Sequence, residues 1–239
     1  MIQVSINGPA GRIEGRYTES KNKNAPLALV LPHPLNEGTM NNKVVLTMYN
    51  TLVECGFTVL RINFRGVGRS QGQFDNGVGE LTDAATALDW LQNTNPFNNI
   101  NLVAGFSFGS WIALQLIMRR PEIVSFIAAS PPIGDNKYDL SFLVPCPIPG
   151  LILQGDQDSV TSEKSVLDLA HKLSKQNRKV ECKIVSGADH FFRGKTEQLG
   201  LAVKDYLEND FNNKQFLKFN QDDVESTVRE KSTQKVFLY

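Results

Sequence analysis

Asn101-Leu102-Val103-Ala104-Gly105-Phe106-Ser107-Phe108-Gly109-Ser110-Trp111-Ile112-Ala113 is the stretch on which the reading of this chain turns. Its first residues form a short uninterrupted apolar run of strand type, and its last open an apolar segment long enough for a helix. Between them, Gly105-Phe106-Ser107-Phe108-Gly109 spells G-x-S-x-G. At a strand-to-helix junction this pattern describes a turn too tight for side chains at its flanks, with the serine hydroxyl held up at the crest. A helix N-terminus behind Ser107 favours negative charge developing beside it. A capping serine in an ordinary strand–helix turn carries the same letters, so the rest of the chain has to discriminate.

Outward from this junction the chain alternates. Apolar runs at 26–31, 57–62, 100–104, 123–129, 150–154 and 180–185 read as buried strands. Amphipathic stretches at 44–55, 80–91, 108–118, 162–173 and 198–207 read as helices between and after them. Two further short apolar runs open the sequence and suit a hairpin. Continuous apolar strands alternating with helices predict an α/β fold, with a mostly parallel sheet of about eight strands covered on both faces. No linker splits residues 1–209. From Asp210 to Tyr239 the chain becomes polar and rich in Asn, Gln and Lys, which reads as a C-terminal tail, either loosely docked or disordered.

Composition narrows the function. In 239 residues, 25 Lys plus Arg balance 25 Asp plus Glu, which argues against a nucleic-acid partner. The longest uncharged greasy stretch, 142–153, is broken by Pro145, Pro147 and Pro149, so no membrane span is expected. The N-terminus shows no secretory pattern, and the 3 cysteines have no metal-ligand or C-x-x-C spacing, so a cytoplasmic protein with reduced thiols is expected. No cofactor is expected and no metal: Gly66-Val67-Gly68-Arg69-Ser70 lacks the spacing of a nucleotide loop, and no Cys/His cluster exists.

A serine nucleophile needs a base, and the base needs an orienting acid, following in the chain order Ser, Asp or Glu, His. With 3 histidines this is a sharp test. His33 precedes the serine and reads as bracing its loop; His171 falls on the polar face of a helix. His190, in Gly187-Ala188-Asp189-His190-Phe191-Phe192, occupies the slot after the last strand. The acid belongs after the 150–154 strand, in Gln154-Gly155-Asp156-Gln157-Asp158. Asp158 is favoured, with Asp156 as the fallback and Asp189 read as structural. Two backbone N–H donors are needed for an oxyanion. Phe108, directly after the nucleophile, supplies one; the loop after the first parallel strand supplies the other, and since Pro34 has no N–H, Leu35 is the candidate. Met40, Phe106 and Phe191 are candidate substrate-pocket residues, with a core role equally open for them.

These segments together resemble a family of small, lid-less bacterial α/β-hydrolases: predicted esterases related to dienelactone hydrolases and prolyl-oligopeptidase-like hydrolases. The matching stretches are His33-Pro34-Leu35, 38–45, 61–70, 76–80, 104–109, 154–158 and His190-Phe191-Phe192, which cover roughly residues 15 to 208 in order. The resemblance implies an α/β-hydrolase fold with minimal or no cap, Ser107, Asp158 and His190 as a triad, and Leu35 and Phe108 as oxyanion donors. Where such proteins usually carry Gly-Gly after the His-Pro segment, Glu37 replaces the first glycine. The implied activity is hydrolysis of small carboxylic esters through an acyl-enzyme, with thioester or amide substrates as the alternative. A binding protein on the same fold, without turnover, is the alternative of another class. A small-molecule acyl substrate is the expected partner, and a homodimer is left open.

Overall fold

The computed structural model describes residues 1–35, 38–98, 100–133, 138–174 and 180–209. Glu37 and the tail from Asp210 onward lie outside the described residues. The opening runs form the hairpin β1 (Ile2–Gly8) and β2 (Gly11–Thr18). There follow β3 (Leu27–Leu31), α1 (Lys43–Glu54), β4 (Thr58–Ile62), α2 (Val78–Thr94), β5 (Asn101–Phe106), α3 (Phe108–Ile117) and β6 (Ile123–Ala129). Then come β7 (Gly150–Gly155), α4 (Glu163–Ser174), β8 (Val180–Val185) and α5 (Thr196–Tyr206). All eight strands join one sheet in the order β1-β2-β4-β3-β5-β6-β7-β8, in which β2 alone runs against the others.

The sheet is buried on both faces because its central strands carry no polar alternation: β3, β4, β5 and β7 are buried at every position. On one face α2, α3 and α4 bury Leu88, Ile112 and Val166 against Leu29, Leu60 and Val103. On the other, α1 and α5 bury Val44, Met48, Leu199 and Val203 against Val30, Val59, Ala104 and Leu153. Local signals set the helix starts. The side-chain oxygen of Asn42 accepts from Val44 N–H at 2.8 Å and caps α1. The Glu80 carboxylate accepts from Gly77 N–H and from Asp75 N–H, which begins α2 two residues before the apolar pattern suggests.

The strand expected at 100–104 runs to Phe106, up to the elbow itself. Strand alternation then points Phe106 into the α1/α5 core with Leu102 and Ala104. Among its described residues, the connection from β6 to β7 contains one 3-10 turn, Ser141–Leu143. No helix among the described residues is long and apolar enough to cross a membrane.

Candidate active site

The elbow is held by backbone geometry. Ser107 has φ 51° and ψ −119°, a positive φ that non-glycine residues rarely adopt. Its N–H donates to Ala129 carbonyl at 2.8 Å, so β6 pins it in place. The two glycines of the motif are required by close approach: a Cβ on Gly105 would sit 2.3 Å from Gly109 carbonyl oxygen, and one on Gly109 2.2 Å from Leu31 carbonyl oxygen. Neither neighbour can yield, since both are backbone. Gly109→Ala should therefore lower stability by more than about 3 kcal/mol, read as a fall in the denaturation midpoint. A variant as stable as wild type would show that α3 can move away from β3.

Three loops at the C-terminal ends of β5, β7 and β8 bring Ser107, Asp158 and His190 together. His190 Nε2 lies 3.0 Å from Ser107 Oγ, and His190 Nδ1 lies 2.8 Å from Asp158 Oδ2. Ser107 is 4 % exposed and His190 6 %, so the hydroxyl and imidazole face each other almost out of water. The ring of His190 rests against Phe106 at 5.3 Å and against Phe191 at 5.3 Å, which fixes its plane. Ser130 Oγ donates to the His190 carbonyl at 3.3 Å.

Asp158 is the best-supported acid in the site. Its Oδ1 accepts from Val160 N–H and Thr161 N–H, and its Oδ2 accepts from Gln154 Nε2 as well as facing His190. Burial pushes its pKa up, but the hydrogen bonds from His190 and from the Thr161 and Val160 amides outweigh it and hold the carboxyl at about 2. A carboxyl held below its unfolded value stabilises the fold fully above pH 5 and ceases to do so as pH falls toward 2. The wild type should lose about 2 kcal/mol between pH 5 and pH 2 through this group. Chemical denaturation across that range should show this component missing from Asp158→Asn; equal pH slopes would remove Asp158 from the acid limb.

Asp156 lies elsewhere: it accepts from Gly187 N–H at 2.7 Å and Ser186 Oγ at 3.2 Å and braces the turn after β8. Asp189 accepts from the Phe191 and Arg193 amides and pairs with the Arg193 guanidinium. His171 is exposed in the last turn of α4.

The two candidate oxyanion donors differ. Phe108 N–H belongs to the first turn of α3, where helical N–H groups have no intrahelical acceptor. Leu35 N–H instead lies 3.1 Å from His33 Nδ1, and Leu35 carbonyl lies 3.1 Å from the same nitrogen. When Nδ1 is bare it accepts from Leu35 N–H; when Nδ1 carries the proton it donates to the carbonyl and the amide is released. Of the candidate pocket residues, Met40 and Phe106 take the buried role that the sequence left open. They are 1 % and 0 % exposed, because Met40 packs into the core and Phe106 supports the back of His190. Phe191, at 38 %, is the open member of the three.

Sequence reasoning missed Gln154, whose amide reaches Asp158 from the last turn-facing position of β7, although it stands in the quoted Gln-Gly-Asp-Gln-Asp run. It also missed the clamp on Met40, where Asn63 Oδ1 accepts from Met40 N–H at 2.8 Å and Arg61 Nη1 donates to Met40 carbonyl at 2.6 Å. A cavity of about 770 Å³ lies not over Ser107, His190 and Asp158 but beside them, between Tyr138, Leu140 and Val144 and α4 residues Leu169 and Lys172. Tyr138 joins the two regions by packing against Phe108 and Trp111.

Known proteins share this arrangement of chain. Residues 16–222 match the family described as X-Pro dipeptidyl-peptidase (S15 family). An uncharacterised protein of Rickettsia prowazekii is 63 % identical over 211 residues, covering 87 % of this chain and 89 % of that protein. The solved α/β serine hydrolase homologue of Coxiella burnetii is 35 % identical, with a TM-score of 0.79 over 86 % of this chain and 97 % of that one. A Xanthomonas campestris α/β serine hydrolase without lid is 29 % identical, with a TM-score of 0.76 over 87 % and 93 %. With an eight-stranded hydrolase sheet, an elbow at Ser107 and a match spanning most of its length, this chain belongs to the S15 family within the lid-less α/β serine hydrolases.

Proposed function

We propose that this protein is a serine esterase that hydrolyses small carboxylic esters through an acyl-enzyme. The observation that carries the reading is the continuous relay from Ser107 Oγ to His190 Nε2 at 3.0 Å and from His190 Nδ1 to Asp158 at 2.8 Å. As Ser107 Oγ attacks the ester carbonyl, His190 Nε2 takes the hydroxyl proton and Asp158 stabilises the imidazolium. The tetrahedral oxyanion accepts from Phe108 N–H and from Leu35 N–H, the latter once His33 presents Nδ1–H to the Leu35 carbonyl. Collapse expels the alcohol, which leaves with the proton from His190. Water then attacks the acyl-serine, with His190 again as base, and releases the acid.

An uncapped mouth suits small soluble substrates. The described part of the β6–β7 connection has one three-residue 3-10 turn and no lid helix. Phe191 and Val160, neighbours in the chain of His190 and of the Asp158 turn, are exposed and give an apolar rim. The S15 family match supports a second reading on the same groups, cleavage of a peptide bond after proline.

Intact mass after a fluorophosphonate, with peptide mapping, followed by p-nitrophenyl acyl esters, an acyl thioester and an X-Pro p-nitroanilide, tests the proposal. One adduct on Ser107 and turnover of short acyl esters are expected. Anilide cleavage exceeding ester cleavage would replace the esterase by the peptidase, and no adduct on folded protein would favour a binding role.

A further inference from the structure

The hairpin and β4 carry a set of charges that the hydrolytic site does not use. On the sheet face shared with α1, register aligns Gln3 with Arg16 and Arg16 with Arg61, two guanidinium groups directly opposite on adjacent strands. Like charges facing each other across a strand pair are destabilising, and a buried guanidinium without an anion is more so. Arg61 is 4 % exposed. Its contacts are all neutral: Met40 carbonyl, the Asn41 side-chain oxygen, the Met1 sulfur and the Tyr49 ring. Two of the guanidinium nitrogens, Arg61 Nε and Arg16 Nη1, are buried with no hydrogen-bond partner. Burial lowers the Arg61 pKa; Tyr49 opposes that shift and the Arg16 charge adds to it.

Among the described residues, the carboxylate at hand, Glu14, is already engaged. Glu14 Oε2 accepts from Asn63 Nδ2 and from Arg69 N–H, both at 2.9 Å, and Oε1 is 3.9 Å from Arg16 Nη1, too far for a hydrogen bond. Beside this pair the hairpin face is open. The apolar cluster under α1 and α5 contains no side chain of β1 or β2. A groove of about 430 Å³ runs there, lined by Gln3, Val4, Ser5, Arg12, Glu14 and Arg69; Arg16, the register partner of Gln3, borders it.

We propose that this groove binds the phosphate group of a small anionic molecule, with Arg12, Arg16 and Arg69 as its ligands and Arg61 as the buried charge behind them. Among the described residues, four guanidinium groups stand against one carboxylate. Planar guanidinium forks match the oxygens of a phosphate two at a time, and Gln3 and Ser5 add neutral donors at the edge. A phosphate in the groove, beside Glu14 and next to Arg16, offsets the positive charge that Arg16 adds opposite Arg61. The volume admits the phosphate together with a small organic group, so free phosphate and a phosphomonoester are both candidates as the source.

Calorimetric titration of the full chain with inorganic phosphate and with glycerol 2-phosphate, at constant ionic strength, tests the site without reference to turnover, so its outcome is separate from that of Ser107. One-to-one binding with Kd below about 1 mM is expected for at least one of the two, since several charge-assisted contacts converge. Tighter binding of the ester identifies a phosphomonoester as the ligand; equal binding identifies free phosphate. Arg16→Gln and Arg69→Gln, both at side chains that reach solvent, should each weaken binding tenfold or more, while Lys172→Gln beside the other cavity should not. No binding at 10 mM to the wild type, or equal affinity in Arg16→Gln and wild type, would overturn the site.

Discussion

Ser107→Ala should reduce kcat/KM on a short p-nitrophenyl ester by roughly 10⁴ to 10⁶ while leaving the fold in place. The hydroxyl's contact is with the His190 imidazole, so its removal takes away no packing and leaves the elbow pinned by the Ala129 carbonyl. His190→Ala should cost about as much, because serine and histidine act as one unit, and the double variant should be little worse than either. Steady-state kinetics with circular dichroism on the same samples decides it. Activity within tenfold of wild type in Ser107→Ala would place the chemistry elsewhere.

The second large effect is expected at Asp158, and its cause is tautomeric. Asp158 offers acceptors to four donors: two backbone amides, the Gln154 amide and His190 Nδ1. In Asp158→Asn one oxygen becomes an NH₂ group. The backbone amides hold the remaining oxygen at Oδ1, so the new NH₂ faces His190 Nδ1. The imidazole then turns that nitrogen into an acceptor and carries its proton on Nε2, where it can no longer take one from Ser107. A loss of roughly 10³ to 10⁴ in kcat is expected. Asp156→Asn, by contrast, should leave kcat within about threefold and lower stability by about 1 kcal/mol, because its carboxylate braces Gly187 and Ser186. The reverse pattern would reassign the acid.

Why Asp158 and not Asp156 could be favoured but not fixed from sequence is instructive. Both follow β7 within a four-residue turn, and the chain records only their order. The turn closes with Asp158 N–H on the Gly155 carbonyl, and Asp156 then faces the β8 turn while Asp158 faces the space reached by His190. The aromatics show the same boundary. Phe106 and Phe191 flank Ser107 and His190 alike in sequence, yet one is core and the other open, since β5 runs as pleated strand to the elbow and His190 lies in a loop. Leu35 follows from the missing proline amide, but its N–H is turned toward His33, which only the folded loop reveals.

What the sequence determined by itself is what local geometry and periodicity impose. Apolar runs alternating with amphipathic segments dictate a parallel sheet between helix layers, and Gly105 and Gly109 admit the backbone approaches that an elbow at Ser107 needs. Chain order and a scarcity of histidines then single out His190. What only the tertiary structure decided is everything that depends on pairing across distance. That covers which aspartate meets the imidazole, that His190, 32 positions away, holds it ionised with help from the turn amides, and that Arg61 and Asn63 grip Met40. It also covers the register that sets Arg16 against Arg61. Pleat and period are written in neighbouring residues; hydrogen bonds between residues tens of positions apart exist only once the sheet has closed.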